Sequence, residues 1–161
     1  MSATRPEPLY ESDLYAWTQA QARELRRFAR TRPNLPLDLA RIADEIEDLG
    51  MSEHSAVFSL VRLIMQHFLL VAGSPAAELQ RRHWLDEVDE FRSQIEDKLT
   101  PSIRRDLEAG LDLVYGRARR NVARKMQRHG EDAAAAALPE RCPYTLEQIL
   151  GDWEPDTGSA G

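Results

Sequence analysis

Acidic and histidine side chains concentrate in the middle of this chain, within one segment of helical character. The cluster consists of Asp44, Glu45, Glu47, Asp48, Glu53, His54 and His67. Helical bundles use inward-facing carboxylates and imidazoles to bind metal ions. The pattern therefore raises the hypothesis of a metal-dependent enzyme whose site lies between helices or between subunits.

Helical geometry argues against the simplest form of that metal site. Along one continuous helix, Glu53 and His67 are separated by about 21 Å. The Glu-x-x-His motif of di-iron bundles is also absent, since no glutamate stands three residues before any of the four histidines. The acids are more typical of a solvated helix face or of ion pairs with arginines. We therefore assign no catalytic, cofactor-binding or metal-binding residue.

Glu53 and His67 differ from the other polar residues because helical spacing places both within the apolar stripe of the central helix. A buried carboxylate is costly without a partner, so we expect Glu53 to pair with an arginine of the fourth principal helix or of a second subunit. We expect His67 to be a core histidine bonded through one ring nitrogen. Cys142 has no recognisable catalytic signature and is interpreted as a structural thiol.

Two further groups of side chains suggest binding surfaces. Tyr10, Tyr15 and Trp17 are typical of packing residues but would indicate a protein-binding surface if exposed. A basic run near the end of the fourth principal helix contains Arg117, Arg119, Arg120, Arg124, Lys125 and Arg128. This run could contact phosphate, but arginine outnumbers lysine 19 to 2 throughout the chain, and no aromatic residues interleave with the run to stack bases. Nucleic-acid binding is therefore the second alternative.

The elements that must position these residues are helices, because apolar residues recur at helical spacing almost throughout. The sequence predicts an all-α helical bundle of four principal helices with a long central helix and a short C-terminal helix. The predicted core stripe of the central helix contains Leu39, Ile42, Ile46, Leu49, Val57, Leu60, Ile64 and Val71.

An unbroken central helix would be about 50 Å long, whereas a compact monomer of this size should be only about 40 Å across. Either the helix breaks at Gly50, Met51 and Ser52, or a second copy of the chain buries the excess length. The second option predicts a homodimer.

Cap and proline signals divide the remaining sequence. The first principal helix is predicted over Ser12 to Arg30, and Pro33 and Pro36 end it. Later helix starts are predicted at Asp38, Ser74–Pro75, Thr100–Pro101 and the capping box at Thr145.

The length, composition and net charge of the chain limit its domain organisation and its cellular compartment. A chain of 161 residues with 42% apolar content fits one domain over residues 1–150, followed by a flexible tail over residues 151–161. The net charge of −6 opposes nonspecific binding to nucleic acid or anionic membranes. Met1 to Pro8 contain no apolar signal region, and Arg62, Gln66 and His67 interrupt the most apolar run. We expect a cytoplasmic protein that does not bind membranes.

Four stretches also resemble a known family in their order and sequence. They are Leu9–Arg27 (LYESDLYAWTQAQARELRR), Asp38–Glu53 (DLARIADEIEDLGMSE), Leu63–Leu70 (LIMQHFLL) and Cys142–Leu150 (CPYTLEQIL). Together they cover nearly the whole chain, which resembles the bacterial family known as domain of unknown function 29. The resemblance implies an all-α fold and a bacterial source, and it brings no established activity or catalytic residues. Where the family often continues the histidine motif with a basic residue and tryptophan, this chain has Val71, Ala72 and Gly73.

The sequence thus favours a protein-interaction or regulatory module that forms a homodimer, with an unidentified protein as a possible further partner. A metal-dependent enzyme and a nucleic-acid-binding protein are the alternatives.

Overall fold

The computed structural model describes residues 7–32 and 34–158. All regular secondary structure in these ranges is helical. The helices are α1 (Glu7–Ser12), α2 (Leu14–Thr31), α3 (Leu39–Gly73), α4 (Ala77–Glu96), α5 (Pro101–Arg128), α6 (Asp132–Ala136) and α7 (Leu146–Leu150). The predicted all-α fold, with four principal helices, a long central helix and a short C-terminal helix, is confirmed. Pro33, on which part of the first predicted turn depends, lies outside the described residues.

Three of the four predicted caps are confirmed, but the first principal helix begins at Leu14, after the cap Asp13, and not at Ser12. Asp38 accepts a hydrogen bond from the Arg41 amide at 3.1 Å, and Thr100 accepts one from the Ile103 amide at 3.3 Å. The predicted start at Ser74 and Pro75 is wrong, because α4 begins at Ala77. The Ser74 hydroxyl instead accepts a hydrogen bond from the Ala76 amide, and this bond stabilises a turn before the helix.

Chain contacts divide the protein into two compact units. Unit 1 contains Met1–Val57 and Lys98–Asp106, and unit 2 contains Phe58–Asp97 and Leu107–Gly161. Helices α3 and α5 each supply residues to both units. The division into one domain over residues 1–150 and a tail over residues 151–161 remains a prediction.

Helix α3 runs without interruption through Gly50, Met51 and Ser52. The alternative in which the central helix breaks at these residues is therefore wrong. Gly50 serves helix packing instead, since a Cβ atom built on it would lie 1.9 Å from Thr18 Oγ1 and 3.0 Å from Thr18 Cβ. The missing side chain lets α2 approach α3 closely.

In unit 1, α2 packs antiparallel against the first half of α3, and we call this pair the hairpin. Thr18 lies over Gly50, whereas Arg26, two turns later on α2, binds Asp44, which lies earlier on α3. Small side chains form the contact, since Thr18, Ala22 and Ala43 are fully buried.

This contact changes which face of α3 is buried. Ile42 and Leu49 belong to the predicted core stripe, yet they are 39% and 52% exposed. The stripe is therefore wrong at Ile42 and Leu49, whereas its first member, Leu39, is buried as predicted. At about 100° per residue, Ala43 and Gly50 lie a quarter-turn from Ile42 and Leu49, so that packing on the small residues leaves the branched side chains at the surface.

A buried aspartate joins α2 to the start of α5 in unit 1. Asp13 accepts a hydrogen bond from the Ala16 amide at 2.9 Å and thereby caps α2. It also accepts hydrogen bonds from the amide and the hydroxyl of Ser102, both at 2.7 Å. Burial alone would raise the pKa of Asp13, but the hydrogen bonds from Ser102 and Ala16 outweigh it and lower the pKa.

The core of unit 2 contains the second half of the predicted α3 stripe. Its fully buried side chains come from α3, α4, α5 and α7. They include Val61, Ile64, Met65, Phe68, Val71, Val88, Leu107, Ala118, Met126 and Ile149. Over this half of α3 the predicted inward positions Ile64 and Val71 are confirmed.

The C-terminal segment of unit 2 is held by arginines of α4. Thr145 and Gln148 form the predicted capping box at the start of α7. The Arg92 guanidinium donates hydrogen bonds to the carbonyl oxygens of Ile149 at 3.0 Å and Trp153 at 2.7 Å, and Arg81 donates to the Pro155 carbonyl at 2.7 Å. Residues of the predicted tail thus contact the unit up to the end of the described chain.

Replacing Gly50 with alanine should destabilise the protein by about 1–3 kcal/mol, because the new methyl group would overlap Thr18. Gly116 is a matched control on α5, where a Cβ would meet only the end of the Arg120 side chain at 3.7 Å. Gly116→Ala should stabilise the protein by about 0.5–1 kcal/mol through its helix propensity. Chemical denaturation measures both, and equal effects would contradict the close packing at Gly50.

Asp13→Asn should lower the free energy of unfolding at neutral pH by about 1–3 kcal/mol, because it weakens the bonds to Ala16 and Ser102. Since the folded pKa of Asp13 lies below its ordinary value of 3.8, the ionised carboxylate stabilises the fold above that value. This stabilisation is lost as the pH falls through the folded pKa. Denaturation at pH 6 and pH 3 should therefore show a smaller difference between the wild type and the variant in acid; a difference that grows in acid would be contrary to this account.

Candidate interaction surface

Three acidic residues of the first half of α3 are held in ion pairs. Arg26 Nη2 lies 2.6 Å from both Asp44 Oδ1 and Glu47 Oε2, and Arg41 Nε lies 3.4 Å from Glu45 Oε1. The hydrogen bond from Arg26 lowers the pKa of Glu47. The expected pairing of these acids with arginines is confirmed for all three.

Glu53 pairs with a lysine of its own unit. Lys98 Nζ lies 2.9 Å and 3.2 Å from the two carboxylate oxygens, and both side chains are half-buried. The predicted arginine partner is wrong. Lys98 lies in the connection between α4 and α5, where helical spacing gives no guide to orientation.

His54 forms a second polar cluster in unit 1. Its Nε2 atom lies 3.2 Å from Asp106 Oδ2, and its ring lies beside the Tyr15 ring with 4.8 Å between centroids. Burial raises the pKa of Tyr15, and the charges of Asp106 and Glu47 raise it further. The nearby Thr18 hydroxyl group donates a hydrogen bond to the backbone carbonyl of Tyr15, within the same helix.

His67 is bonded through both ring nitrogens, so the expectation of one bond is wrong. Nδ1 lies 2.8 Å from the Leu63 carbonyl oxygen, and Nε2 lies 2.7 Å from Glu87 Oε2. A carbonyl only accepts hydrogen bonds, so Nδ1 must carry a proton.

Glu53 and His67 thus each have a partner within their own unit. Among residues 7–32 and 34–158, no group of three or more His, Cys, Asp or Glu side chains is arranged to hold a metal ion. The two polar residues of the predicted stripe are accounted for by pairing.

Cys142 is half-buried, and its thiol donates to the Tyr144 carbonyl at 3.4 Å. Burial raises the pKa of the Cys142 thiol. The thiol is therefore protonated at neutral pH, which is unfavourable for a nucleophile.

The basic run of α5 separates into a structural residue and a surface. Arg119 donates to the carbonyl oxygens of Pro139 at 2.9 Å and Leu138 at 3.3 Å. Four other arginines of the run lie on one side of α5, and we call them the arginine stripe. They are Arg117, Arg120, Arg124 and Arg128. All four are exposed and recur at helical spacing along α5.

A second surface lies on the hairpin and is apolar. Since α2 and α3 are antiparallel and their contact runs through Thr18 and Gly50, helical spacing places the uncovered apolar residues of both helices on the same side. We call this the hairpin face. It consists of Leu25, Phe28, Ile42, Ile46 and Leu49 on the two helices, and we add the exposed Leu37 from the connection just before α3.

The hairpin face is accessible over much of its area. Phe28 is 46% and Leu37 59% exposed, and Leu25 and Phe28 also line a depression of about 480 Å³ on α2. Large apolar side chains grouped in this way on a protein surface mark sites of interaction. The aromatic residues contribute less, since Tyr10 is exposed but Trp17, which it contacts edge-on, is half-buried.

Sequence reasoning missed the buried arginine of unit 2. Arg92 lies four residues after Val88 and three before Ile95, within the apolar stripe of α4. The same spacing argument that identified Glu53 and His67 would have identified Arg92. Asp13 gave no such signal beyond its suitability as a helix cap.

Arg92→Met should destabilise the C-terminal segment, because the carbonyls of Gln148, Ile149 and Trp153 would lose their buried donor. We expect a loss of about 2–4 kcal/mol and faster hydrogen exchange for the amides of residues 146–158. Arg82, which is exposed on the same helix, provides the control Arg82→Met with unchanged exchange. Unchanged exchange in Arg92→Met would contradict the role of Arg92 and would assign the segment to its other contacts, such as the edge-on contact of Trp153 with Phe68.

One helix, α3, is long and apolar enough to cross a membrane by length and composition alone, and half of its most apolar window is buried inside the protein. A core helix of a soluble protein meets the same criterion.

Comparison with known proteins places this architecture in a family. The model of the family described as Domain of unknown function DUF29 matches residues 9–154. The crystal structure of an α-helical protein of unknown function from Rhodospirillum rubrum ATCC 11170 is 33% identical, with a TM-score of 0.76 over 89% of each chain. A search of curated proteins gave no significant match. The chain therefore belongs to the DUF29 family of α-helical proteins.

Proposed function

We propose that this chain is a protein-interaction module with a regulatory role in the bacterial cytoplasm, and that the hairpin face is its binding surface. The observation that carries the proposal is the grouping of exposed apolar side chains on one side of α2 and α3, which includes Phe28, Ile42 and Leu49. Each is a large side chain that gains free energy when water is removed from it.

The size of that gain indicates the kind of interaction. Complete burial of such a side chain contributes about 1.5–3 kcal/mol, and the residues of the hairpin face are already half-buried. The four side chains that are roughly half-exposed, Phe28, Leu37, Ile42 and Leu49, therefore supply about 3–6 kcal/mol, against an association cost of about 4–15 kcal/mol. The balance favours a reversible complex over a permanent one, as a regulatory module requires.

The two alternatives have less support. A metal-dependent enzyme would use Glu53 and His67, which are engaged with Lys98 and Glu87. Nucleic-acid binding would use the arginine stripe, which has the charge for phosphate contacts but includes no aromatic residue for base stacking. The hairpin face needs neither a cofactor nor a rearrangement of existing ion pairs.

The proposal predicts that a photoreactive amino acid placed at position 42 will form covalent adducts with protein in living cells. Leu79 on α4 is the matched control, because it is 89% exposed but has no place in the hairpin face. Adducts are measured by gel shift and mass spectrometry. The absence of any protein adduct from position 42, or equal adducts from position 79, would overturn the proposal.

A further inference from the structure

We propose that the hairpin face binds a second copy of this chain, so that two hairpins form a four-helix bundle around a two-fold axis near position 43 of α3. The inference rests on the proposed function, because it names the partner of the same surface. In this arrangement α3 of one copy lies antiparallel to α3 of the other, and α2 lies antiparallel to α2.

The spacing of the apolar residues is symmetric about that axis. Leu37 and Leu49 lie six residues on either side of position 43, and Ile42 lies beside it. Two antiparallel copies therefore bring Ile42 of one chain next to Ile42 of the other, and they bring the connection just before α3, which contains Leu37, close to Leu49 of the other copy. Such self-complementarity is the requirement for an isologous interface.

The charged residues flanking the face have the same symmetry. Arg41 and Glu45 lie two residues on either side of position 43. They are 75% and 68% exposed and pair with each other along their own helix, at 3.4 Å. Antiparallel copies place Glu45 of each chain opposite Arg41 of the other. The interface therefore contains two pairs of opposite charges, related by the two-fold axis.

Helix α2 supports the same axis independently. Glu24 and Arg27, which line the depression beside Phe28, are oppositely charged and symmetric about the midpoint between Leu25 and Arg26. The bond from Arg26 to Asp44 places that midpoint beside position 43 of α3. One two-fold axis therefore relates both pairs of opposite charges.

The dimensions of the face indicate how strongly the copies associate. Positions 37–49 span about 20 Å at the helical rise, and two helices at their usual spacing of 8–10 Å are about 20 Å wide. The resulting area of about 400 Å² per copy lies below the roughly 800 Å² of a standard interface. We therefore expect a dimer that dissociates reversibly in the micromolar range.

Cysteine cross-linking tests the arrangement in the full chain with Cys142 replaced by serine. Ile42→Cys should form a disulfide-linked dimer under mild oxidation, because the two copies of position 42 meet at the axis. Leu37→Cys and Leu49→Cys should not link alone, but a mixture of the two should link. Leu79→Cys is the control and should remain unlinked.

A second test changes only charged residues beside the hairpin face and leaves its apolar side chains unchanged. Arg41→Glu and Glu45→Arg should each weaken self-association about tenfold or more in sedimentation equilibrium, because each places like charges opposite one another twice. An equimolar mixture should recover association as a heterodimer, in which both contacts are again between opposite charges. A mixture no stronger than the separate variants would overturn the antiparallel arrangement.

The outcomes separate this inference from the proposed function. A wild-type chain that remains monomeric at high micromolar concentration, or a dimer linked through position 79 and not through position 42, overturns the second copy as partner. Photo-crosslinking of position 42 to a different protein would then still support the interaction module. The absence of any adduct would overturn both.

Discussion

The close approach of α2 to α3 at Gly50 is the constraint on which the rest of unit 1 depends. Because Gly50 has no side chain, Thr18 occupies the space that a Cβ would need. The two helices consequently meet through small residues, and Phe28, Ile42 and Leu49 lie about a quarter-turn away from the contact. One contact thus explains why the central helix continues through its glycine and why an apolar surface remains on the hairpin.

Polar side chains fix the segments that apolar packing alone would leave undefined. Asp13 ties the start of α2 to the start of α5 through Ser102, and Arg92 ties α4 to the carbonyl oxygens at the end of α7. Each places a charge in a buried position, where an unpaired group would be costly. The geometry of these bonds therefore determines the conformation of the connected segments more strictly than apolar contacts do, because hydrogen bonds are directional.

Glu53 and His67 follow the same rule. A charged or titratable residue in an apolar stripe suggests a catalytic role. The same position also requires a partner for the residue, because burying an unpaired polar group is costly. Lys98 and Glu87 supply that partner. By contrast, the apolar side chains of the hairpin face have no partner that fully covers them. Within the described residues, the polar side chains of the stripe thus have partners in their own unit, whereas large apolar side chains remain exposed on the hairpin.

The sequence by itself determined the all-α class, the long helices and most of their ends, because helical periodicity, caps and prolines act over a few residues. It also determined that Ile64 and Val71 lie inward, since a continuous apolar face leaves no other choice. Only the tertiary structure decided the rotation of α3 in unit 1, because the small residues Ala43 and Gly50 compete with Ile42 and Leu49 for the contact. It likewise decided that Glu53 meets Lys98, since residues 45 apart in the chain are brought together by folding and not by spacing.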